Sequence, residues 1–285
     1  MLSTKAKLNI ARALNVAIVG SRAVIGRDPF VQVRRKDVNW RLDLNEGIDL
    51  AIYLGLYQKV PQRVIDNWIK PGSLVLDIGA NIGSHALPLA RQVGPQGRVI
   101  AVEPTVYAFS KLSANADINP DIKNRLILVH AALNDGAPDQ ADVEFYSRWP
   151  LHGQARGRHD KHLGQLEAAN GARSVSLDAL LEELRSDAAI NMDVTFIKMD
   201  VDGHELQVLR GASDTFRRDK PAMLIEIAPY IQDESPGRLE ALIDALSTLG
   251  YCLETDTGKP LPNSASGLRN LIKDGASIDA VALPR

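Results

Sequence analysis

A turn framed by two glycines follows the first strongly apolar run of the sequence. Residues 74–83 read LVLDIGANIG, so a buried strand would end near Asp77, and a turn containing Gly79 and Gly83 would lead into a helix. Glycine lets the backbone approach a ligand closely, and a helix start offers unpaired N–H groups. The next apolar run ends in Glu103, where a carboxylate can accept two hydrogen bonds from ribose hydroxyls. The pattern therefore predicts a nucleoside-binding site.

The acid in front of this turn indicates which nucleoside binds. Dinucleotide-binding folds use the pattern G-x-G-x-x-G, whose glycines let a pyrophosphate sit on the helix start. Here Asn81 stands in place of the second glycine, and Asp77 precedes the turn. A carboxylate at that point would repel a pyrophosphate and attract an ammonium group. These features favour S-adenosylmethionine, which has a ribose and a cationic amino acid tail but no phosphate, over NAD.

Acidic residues also mark two later apolar runs. Asp200 directly follows one run, with Asp202 and His204 close behind it, and Glu226 lies near the end of the next. Ligands of open α/β sheets bind outside the carboxyl ends of the strands, so we expect these residues to meet there. A hydroxyl acceptor becomes nucleophilic when its proton is removed. His204, with an ordinary pKa near neutrality, is the first candidate base and Asp200 the second, while Glu226 is expected to face the acceptor.

A metal ion is an alternative at the same position. Asp200 and Glu226 could hold Mg²⁺ against two acceptor oxygens, because hard cations bind a few carboxylates together with water and substrate. The sequence contains no tight metal-ligand motif, so metal dependence is not favoured and no metal site is predicted.

The elements that would position these residues form an alternating pattern. Short apolar runs rich in β-branched residues predict strands buried on both faces at 74–78, 99–102, 126–129, 194–199 and 223–227. Helical patterns lie between most of them, which predicts an α/β doubly wound, mostly parallel sheet. Residues 251–255 and 278–283 predict two final strands, of which the last could be antiparallel, and residues 31–44 alternate as in an antiparallel hairpin outside the main sheet.

Helix limits can be predicted at several positions. Residues 236–249 carry apolar side chains on one helical face, with Ser235 as the expected N-cap and Gly250 as the expected stop. Ser176 is the expected cap of another helix. Pro88 lies inside the helix that follows the glycine turn, where proline removes a hydrogen bond, so we expect a kink or a late start near it.

Composition excludes several classes of protein. The chain has 285 residues, 45% of them hydrophobic, with 33 basic and 35 acidic side chains for a formal charge of -2. This balance argues against wholesale disorder and against a generic nucleic-acid binder. One cysteine, Cys252, gives no sign of an oxidising compartment, and no apolar run is long enough to predict a transmembrane helix, so a cytoplasmic location is expected. The oligomeric state is not predicted.

The N-terminus has two interpretations. Lys5, Lys7 and Arg12 precede a short, moderately apolar stretch at residues 13–20. The favoured interpretation is a helix packed on the rest of the protein. The alternatives are a poor signal peptide and an amphipathic helix making weak peripheral contact with a membrane surface.

The middle of the sequence, residues 147–175, shows no helical or strand pattern, and connections of that length are usually functional or disordered. Residues 147–163 carry four basic side chains and three histidines, namely Arg148, Arg156, Arg158, Lys161, His152, His159 and His162. The favoured interpretation is a solvated insertion. The alternative is a lid that grips a phosphate, carboxylate or sugar, with Trp149 stacking on a sugar ring. The irregular histidine spacing without cysteine does not predict zinc.

Three segments together resemble a known family. The sequences LVLDIGANIG at 74–83, VIAVEP at 99–104 and FIKMDVDGHELQVLRGA at 196–212 resemble the FkbM-type methyltransferases, and the resemblance covers roughly residues 30–255. It implies a class I Rossmann-like fold and methyl transfer from S-adenosylmethionine to a hydroxyl of a sugar, glycolipid or polyketide-type metabolite. By motif position it implies a cofactor site formed by Asp77, Gly79, Ala80, Asn81, Gly83 and Glu103. Asp200, at the end of a later strand, could contact either the methionine amino group of the cofactor or the acceptor.

The sequence departs from the family pattern at two positions. Asp202 stands where the family's D-V-E-G-x-E motif has glutamate, which shortens one carboxylate by a methylene and keeps its charge. Gln58 follows Tyr57 where the family often has glutamate, so a role resting on that acid is in doubt.

We therefore expect residues 1–60 to form an N-terminal helix and β-hairpin extension. Residues 61–285 are expected to form the methyltransferase domain, with an insertion at about 147–175. The expected activity is O-methylation of a small-molecule or glycan acceptor. The alternatives are an NAD-dependent oxidoreductase and a non-catalytic cofactor-binding scaffold.

Overall fold

The computed structural model describes residues 3–57, 59–137, 144–152, 160–161, 163–187 and 190–285. Its strands are β1 (Phe30–Arg35), β2 (Val38–Asp43), β3 (Leu74–Ile78), β4 (Arg98–Glu103), β5 (Leu126–Asn134), β6 (Glu144–Arg148), β7 (Gln165–Ala168), β8 (Arg173–Ser176), β9 (Val194–Met199), β10 (Ala222–Ile227), β11 (Tyr251–Glu254) and β12 (Ile278–Pro284). Its helices are α1 (Thr4–Val24), α2 (Gly47–Tyr53), α3 (Gln62–Trp68), α4 (Ala86–Gln92), α5 (Val106–Asp117), α6 (Pro120–Lys123), α7 (Leu177–Ser186), α8 (Glu205–Arg210), α9 (Ser213–Asp219), α10 (Pro229–Gln232), α11 (Arg238–Thr248) and α12 (Ala265–Leu271).

Eight strands form one sheet in the order β11-β12-β10-β9-β3-β4-β5-β8. Neighbours from β10 to β8 run parallel, whereas β12 pairs antiparallel with both β10 and β11. All five predicted parallel strands and the antiparallel last strand are confirmed. The fold is the predicted Rossmann-like, doubly wound α/β sheet.

Both faces of the central strands are buried, which explains their nearly continuous apolar sequences. In β3, Leu74, Leu76 and Ile78 belong to one core with helices α7, α8, α9, α11 and α12. Val75 points into the second core, which contains α3, α4, α5 and the β1–β2 hairpin. The carboxyl ends of β3, β4, β9 and β10 consequently meet at one edge of the sheet.

The predicted β1–β2 hairpin is present and closes through Lys36 and Asp37, which have φ of 50° and 64°. Two consecutive left-handed residues suit the twist of a two-residue hairpin turn. The hairpin is fastened to α5 and the turn after it, since Asn115 and Asn119 accept hydrogen bonds from the backbone N–H groups of Arg41 and Asn39. The proposed division at residue 60 therefore separates segments that share a core.

Of three predicted helix starts, one is wrong and two are confirmed. The expected Ser235 cap is wrong, because α11 begins at Arg238 after Gly237 with φ of 77°, and the Ser235 hydroxyl instead accepts a hydrogen bond from the Arg238 side chain. The predicted late start near Pro88 is confirmed, since α4 begins at Ala86 and its first turn can accommodate proline. The predicted Ser176 cap is confirmed by a bond from the N–H of Ala179.

The expectation that residues 147–175 lack strands is wrong. Strand β6 ends at Arg148, β7 pairs with it antiparallel, and β8 adds a parallel edge strand to β5. β7 and β8 have four residues each and mixed polar sequences, so they carry too little alternation to be predicted. The insertion is therefore a short hairpin followed by an edge strand of the main sheet.

No helix in the described ranges combines the length and apolar character needed to cross a membrane.

Candidate functional site

The loop after β3 approaches the chain after β9 so closely that only glycine fits. Gly79 has φ of 77°, and a Cβ added there would lie 1.8 Å from the Asp200 carbonyl oxygen. The same approach includes a hydrogen bond from the N–H of Asp200 to the carbonyl of Ile78, at 3.1 Å. Gly79 thus brings the acid-bearing ends of β3 and β9 side by side.

Glu103 is held in place at the end of β4. One carboxylate oxygen accepts the N–H of Asn81 at 2.9 Å, and the other accepts the N–H and hydroxyl of Thr105 at 3.0 and 2.6 Å. Burial raises the pKa of Glu103, and these hydrogen bonds oppose the rise. The carboxylate therefore joins the glycine turn to β4 and is oriented before any ligand arrives.

Asp77 is completely buried, and neither carboxylate oxygen makes a well-aligned hydrogen bond within the described chain, although the backbone N–H of Ala86 lies close enough to lower its pKa slightly. Burial raises its pKa to about 7, although the nearby Lys198 ammonium lowers it. A buried carboxylate without hydrogen-bond partners is costly and rare in folded proteins. Such a group indicates a site that a cationic or hydrogen-bonding ligand completes.

Three carboxylates cluster at the ends of β9 and β10. Asp200, Asp202 and Glu226 each present an oxygen within 4.8 Å of the others. The Lys198 ammonium lies 3.1 Å from Asp200. Burial opposes ionisation of Asp200, but Lys198 and a hydrogen bond with Glu226 lower its pKa, whereas burial and Asp200 raise that of Glu226 well above its ordinary value. Asp200 is thus the more readily ionised of the two carboxyl groups, and Glu226 holds its proton more strongly.

His204 lies apart from this pair. Its ring packs on Phe145 at 4.9 Å, and its Nδ1 lies 3.2 Å from the Val201 carbonyl oxygen. Burial lowers its pKa. The ring lines a cavity of about 10 Å³ at the ends of β3 and β4 and along β5, which Asp200 does not line.

The larger cavity at the sheet edge is about 50 Å³ in volume and contains most of the predicted cofactor residues. Gly79, Asn81, Glu103 and Asp200 line it. Ala80 and Gly83 belong to the supporting loop: the N–H of Ala80 binds the Val102 carbonyl at 3.0 Å, and a Cβ at Gly83 would collide with Leu87.

Three aromatic residues of the middle segment, Phe145, Tyr146 and Trp149, cover this cavity. Asn81 donates a hydrogen bond to the Ser147 carbonyl at 3.0 Å, which holds β6 over the glycine turn. The end of β6 and Trp149 thus lie against the cavity. Of its basic residues and histidines, Arg156, Arg158, His159 and His162 lie outside the described residues.

Three residues of the site were missed from sequence. Lys198 is a lysine within an apolar strand, which is a detectable signal because lysine is almost never buried without a partner. His85 and Tyr57 carry no such signal. Their rings meet at 5.4 Å beside Asp77, and both nitrogens of His85 are buried without a hydrogen bond to the described chain.

A family model described as the methyltransferase FkbM domain matches residues 77–253, more than half of the 285 residues. The match begins at Asp77 and includes Glu103, Asp200 and Glu226. The chain belongs to the FkbM methyltransferase family. The resemblance carried by the glycine turn and by residues 196–212 is therefore confirmed.

Several proteins are similar to this FkbM family member. The 2-O-methyltransferase NoeI of Sinorhizobium fredii is 26% identical over 167 residues, which cover 57% of this chain and 66% of NoeI. The hexuronic acid methyltransferase AglP of Haloferax volcanii is 29% identical over 141 residues, half of each chain. The antimetabolite synthetase AmbE of Pseudomonas aeruginosa is 24% identical over 64% of this chain, which spans a tenth of AmbE. The chain thus spans less than two thirds of these relatives.

Solved structures are similar as well. The FkbM methyltransferase of Methylobacillus flagellatus has a TM-score of 0.43 at 18% identity, covering 75% of this chain and 43% of that one. A SAM-dependent O-methyltransferase of Thermotoga maritima has a TM-score of 0.41 at 12% identity, covering 93% and 81%.

Proposed function

We propose that the protein transfers a methyl group from S-adenosylmethionine to a hydroxyl of a sugar-containing acceptor. The observation that carries this proposal is the buried Asp77 carboxylate, which makes no well-aligned hydrogen bond within the described residues. It lies near the end of β3, two residues before Gly79, which lines the cavity together with Glu103 and Asp200. The carboxylates of Asp77 and Asp200 match the cationic amino acid tail of the cofactor, and Glu103 matches its ribose.

The residues present fit this cofactor. Glu103 would accept the ribose hydroxyls, the backbone of Gly79 would allow close approach, and Asp77 with Asp200 would attract the ammonium group. Ligand cavities usually measure about 300–1,000 Å³, whereas the cavity here is about 50 Å³. Phe145 lines both this cavity and the neighbouring small one, so we propose that its side chain moves when the cofactor enters.

When bound, S-adenosylmethionine supplies an electrophilic methyl group. Asp200 is the proposed proton acceptor, since Lys198 keeps it ionised, and it takes the proton that the acceptor hydroxyl loses as its oxygen gains the methyl group. Glu226, whose pKa burial and Asp200 raise, would orient Asp200 through the hydrogen bond between the two side chains. His204 packs on Phe145 and lines the small cavity that Asp200 does not line, so we propose it as part of the nucleoside wall rather than as the base.

The acceptor class is proposed from relatives. NoeI is a 2-O-methyltransferase and AglP acts on a hexuronic acid, which supports a sugar hydroxyl as the acceptor. Glycolipid and polyketide-type acceptors remain alternatives for the same chemistry.

Calorimetry with S-adenosylhomocysteine tests the cofactor, with NAD as the competing ligand. We expect S-adenosylhomocysteine to bind and NAD not to bind, and Glu103→Ala to weaken binding at least about tenfold through the lost ribose contacts. Incubation with methyl-labelled S-adenosylmethionine and a glycan panel then tests transfer. Binding of NAD alone would indicate the oxidoreductase, and cofactor binding without labelling of any acceptor would indicate a scaffold.

A further inference from the structure

A groove of about 420 Å³ lies between the β1–β2 turn, the chain after α2 and the start of α4. Its size is in the range of small-molecule sites and admits one sugar ring. The residues important here are Arg35, Lys36, Trp40, Tyr57, Lys59 and His85.

This groove adjoins the cofactor cavity. Tyr57 lines both spaces, and its ring contacts that of His85 at 5.4 Å. A molecule in the groove would therefore present an atom toward the edge where Asp77 and Asp200 lie.

Two lysines, Lys36 and Lys59, line the groove together. Partial burial and the charge of Lys59 lower the pKa of Lys36 to about 8. Neither forms an ion pair with a carboxylate in the described part of the chain, and the adjacent Asp37 is turned to Arg34 at 3.0 Å. An anion bound between the two lysines would attract both ammonium groups and offset their mutual repulsion.

A second polar group in the groove also lacks a partner. His85 is 6% exposed, and neither of its ring nitrogens makes a hydrogen bond within the described residues. Burial lowers its pKa to about 3, so the ring is neutral and offers one donor and one acceptor. A hydroxyl can satisfy both nitrogen types, and leaving them unsatisfied is unfavourable.

We propose that this groove is the acceptor site and that it selects sugars bearing a carboxylate or phosphate, with the anion between Lys36 and Lys59 and a hydroxyl at His85. That the bound sugar is the methyl acceptor rests on the proposed function. Binding of an anionic sugar in the groove can be tested without it.

Titration calorimetry with D-glucuronate, glucose 6-phosphate and D-glucose tests the selection. We expect at least one anionic sugar to bind about tenfold or more tightly than glucose, and the two anions distinguish a carboxylate from a phosphate. Lys36→Met with Lys59→Met should remove the preference. Lys70→Met with Lys123→Met, which removes the same charge elsewhere, should keep it, and His85→Gln should weaken all sugars alike.

Equal binding of the three sugars, absence of sugar binding, or a preference that survives loss of Lys36 and Lys59 would overturn the proposal. S-adenosylhomocysteine binding is measured on the same proteins. Its absence from the unaltered protein would defeat the proposed cofactor, whereas its presence without anion preference would defeat only the groove assignment.

A separate observation concerns α1, whose outer face is apolar. Leu8 and Asn15 are its buried residues, and Asn15 donates to the Leu44 carbonyl at 2.6 Å, so one face packs on the protein. On the opposite face, Ile10, Leu14 and Val24 are 52%, 38% and 87% exposed. Their spacing places them on one side of the helix, together with exposed alanines.

All charged residues of α1 are basic, namely Lys5, Lys7, Arg12 and Arg22, in a chain whose formal charge is -2. Two copies of this helix would bring like charges together, which disfavours pairing through this face. Lys7 lies beside the exposed apolar stripe, whereas Arg12 and Arg22 lie toward the packed side of the helix. Exposed basic and apolar residues on one helix are typical of helices that lie in an anionic membrane surface.

We infer that α1 docks the protein on anionic lipid, with Ile10, Leu14 and Val24 inserted at the headgroup boundary. Cosedimentation with vesicles tests this, using phosphatidylcholine alone or mixed with phosphatidylglycerol. We expect binding only to the mixture, weakened by high salt because exposed charges are screened.

Ile10→Ser with Leu14→Ser should lose the vesicle binding, and Leu56→Ser with Leu271→Ser, which alters exposed leucines elsewhere, should not. Equal binding to both vesicle types, or no binding, would overturn the inference. So would a concentration-dependent dimer in analytical ultracentrifugation that disappears in the Ile10 and Leu14 double variant, since the occupant would then be a second copy.

Discussion

At the scale of single residues, the site combines carboxylates whose surroundings differ although their chemistry is the same. Asp77 makes no well-aligned hydrogen bond within the described residues, Glu103 is held by three donors, and Asp200 is paired with Lys198. Burial alone would neutralise all three. Because their partners differ, the three carboxyl groups differ in pKa. We therefore propose that the same sheet edge presents one group to an ammonium, one to hydroxyls and one as a base.

Ionisation of Asp77 should lower the free energy of unfolding as pH rises. Its pKa is 3.8 when unfolded and about 7 when folded, so the folded state holds a proton that the unfolded state has lost between these values. Stability from this group is therefore present near pH 4 and is lost as pH rises through about 7. Asp77→Asn removes the effect, and above pH 7 we expect its free energy of unfolding to exceed the unaltered protein's by at most about 4 kcal/mol.

Urea denaturation of both proteins across pH 4–8 measures this difference, which should vanish near pH 4. The same variant should bind S-adenosylhomocysteine more weakly. A constant stability difference at all pH values would contradict the assigned ionisation.

Asp200→Asn should lower turnover more than cofactor binding. The substitution keeps the shape but removes the proposed proton acceptor, so we expect turnover to fall about 10²-fold or more. The dissociation constant of S-adenosylhomocysteine should change by a smaller factor. Turnover is measured with labelled methyl donor, and an unaltered rate would remove Asp200 from the mechanism.

Chelation should leave the activity intact. Lys198 already neutralises Asp200, so a divalent cation at Asp200, Asp202 and Glu226 would have to compete with a fixed ammonium group. We expect equal rates before and after dialysis against EDTA. A rate lost on dialysis and restored by Mg²⁺ would instead support the metal alternative.

At the scale of elements, apolar runs and special turns were the predictable part. The strands around Asp77, Glu103 and Asp200 are buried on both faces, and their sequences show it directly. The β6–β7 hairpin was not predictable, because short, partly polar strands owe their structure to tertiary contacts. The same limit applies to the site: the motif residues could be found, but His85 and Tyr57 approach it only through packing of separate segments.

Phe145→Ala should speed cofactor binding. The Phe145 ring lines both cavities and packs on His204, and we propose that it moves aside when a nucleoside occupies both spaces. We expect a severalfold higher association rate for S-adenosylhomocysteine in stopped-flow fluorescence. Phe30→Ala, an exposed aromatic on β1, is the control. A slower association would show that Phe145 receives the cofactor rather than blocks it.

At the scale of the whole molecule, three distant segments are joined over the site. Leu8 of α1, Leu44 after the hairpin, Leu50 of α2 and Leu151 after β6 form one apolar cluster. Next to it, Arg148 pairs with Glu46 at 2.6 Å and stacks on the Tyr107 ring at 4.3 Å. The N-terminal extension therefore supports the segment that covers the cofactor cavity.

Arg148→Met should destabilise the fold by about 2–3 kcal/mol, because it leaves the buried Glu46 carboxylate without its ion partner. Adding Glu46→Gln should recover part of the loss, since the uncompensated charge is then gone. Urea denaturation of the single and double variants measures both effects. Strictly additive losses would show that the pair contributes no coupling.

Tyr57 belongs to the boundary of both the cofactor cavity and the neighbouring groove. Molecules bound in the cavity and in the groove would therefore contact the same Tyr57 ring. If the proposed methyl donor and acceptor bind in these two spaces, binding of one should alter the affinity for the other through this ring.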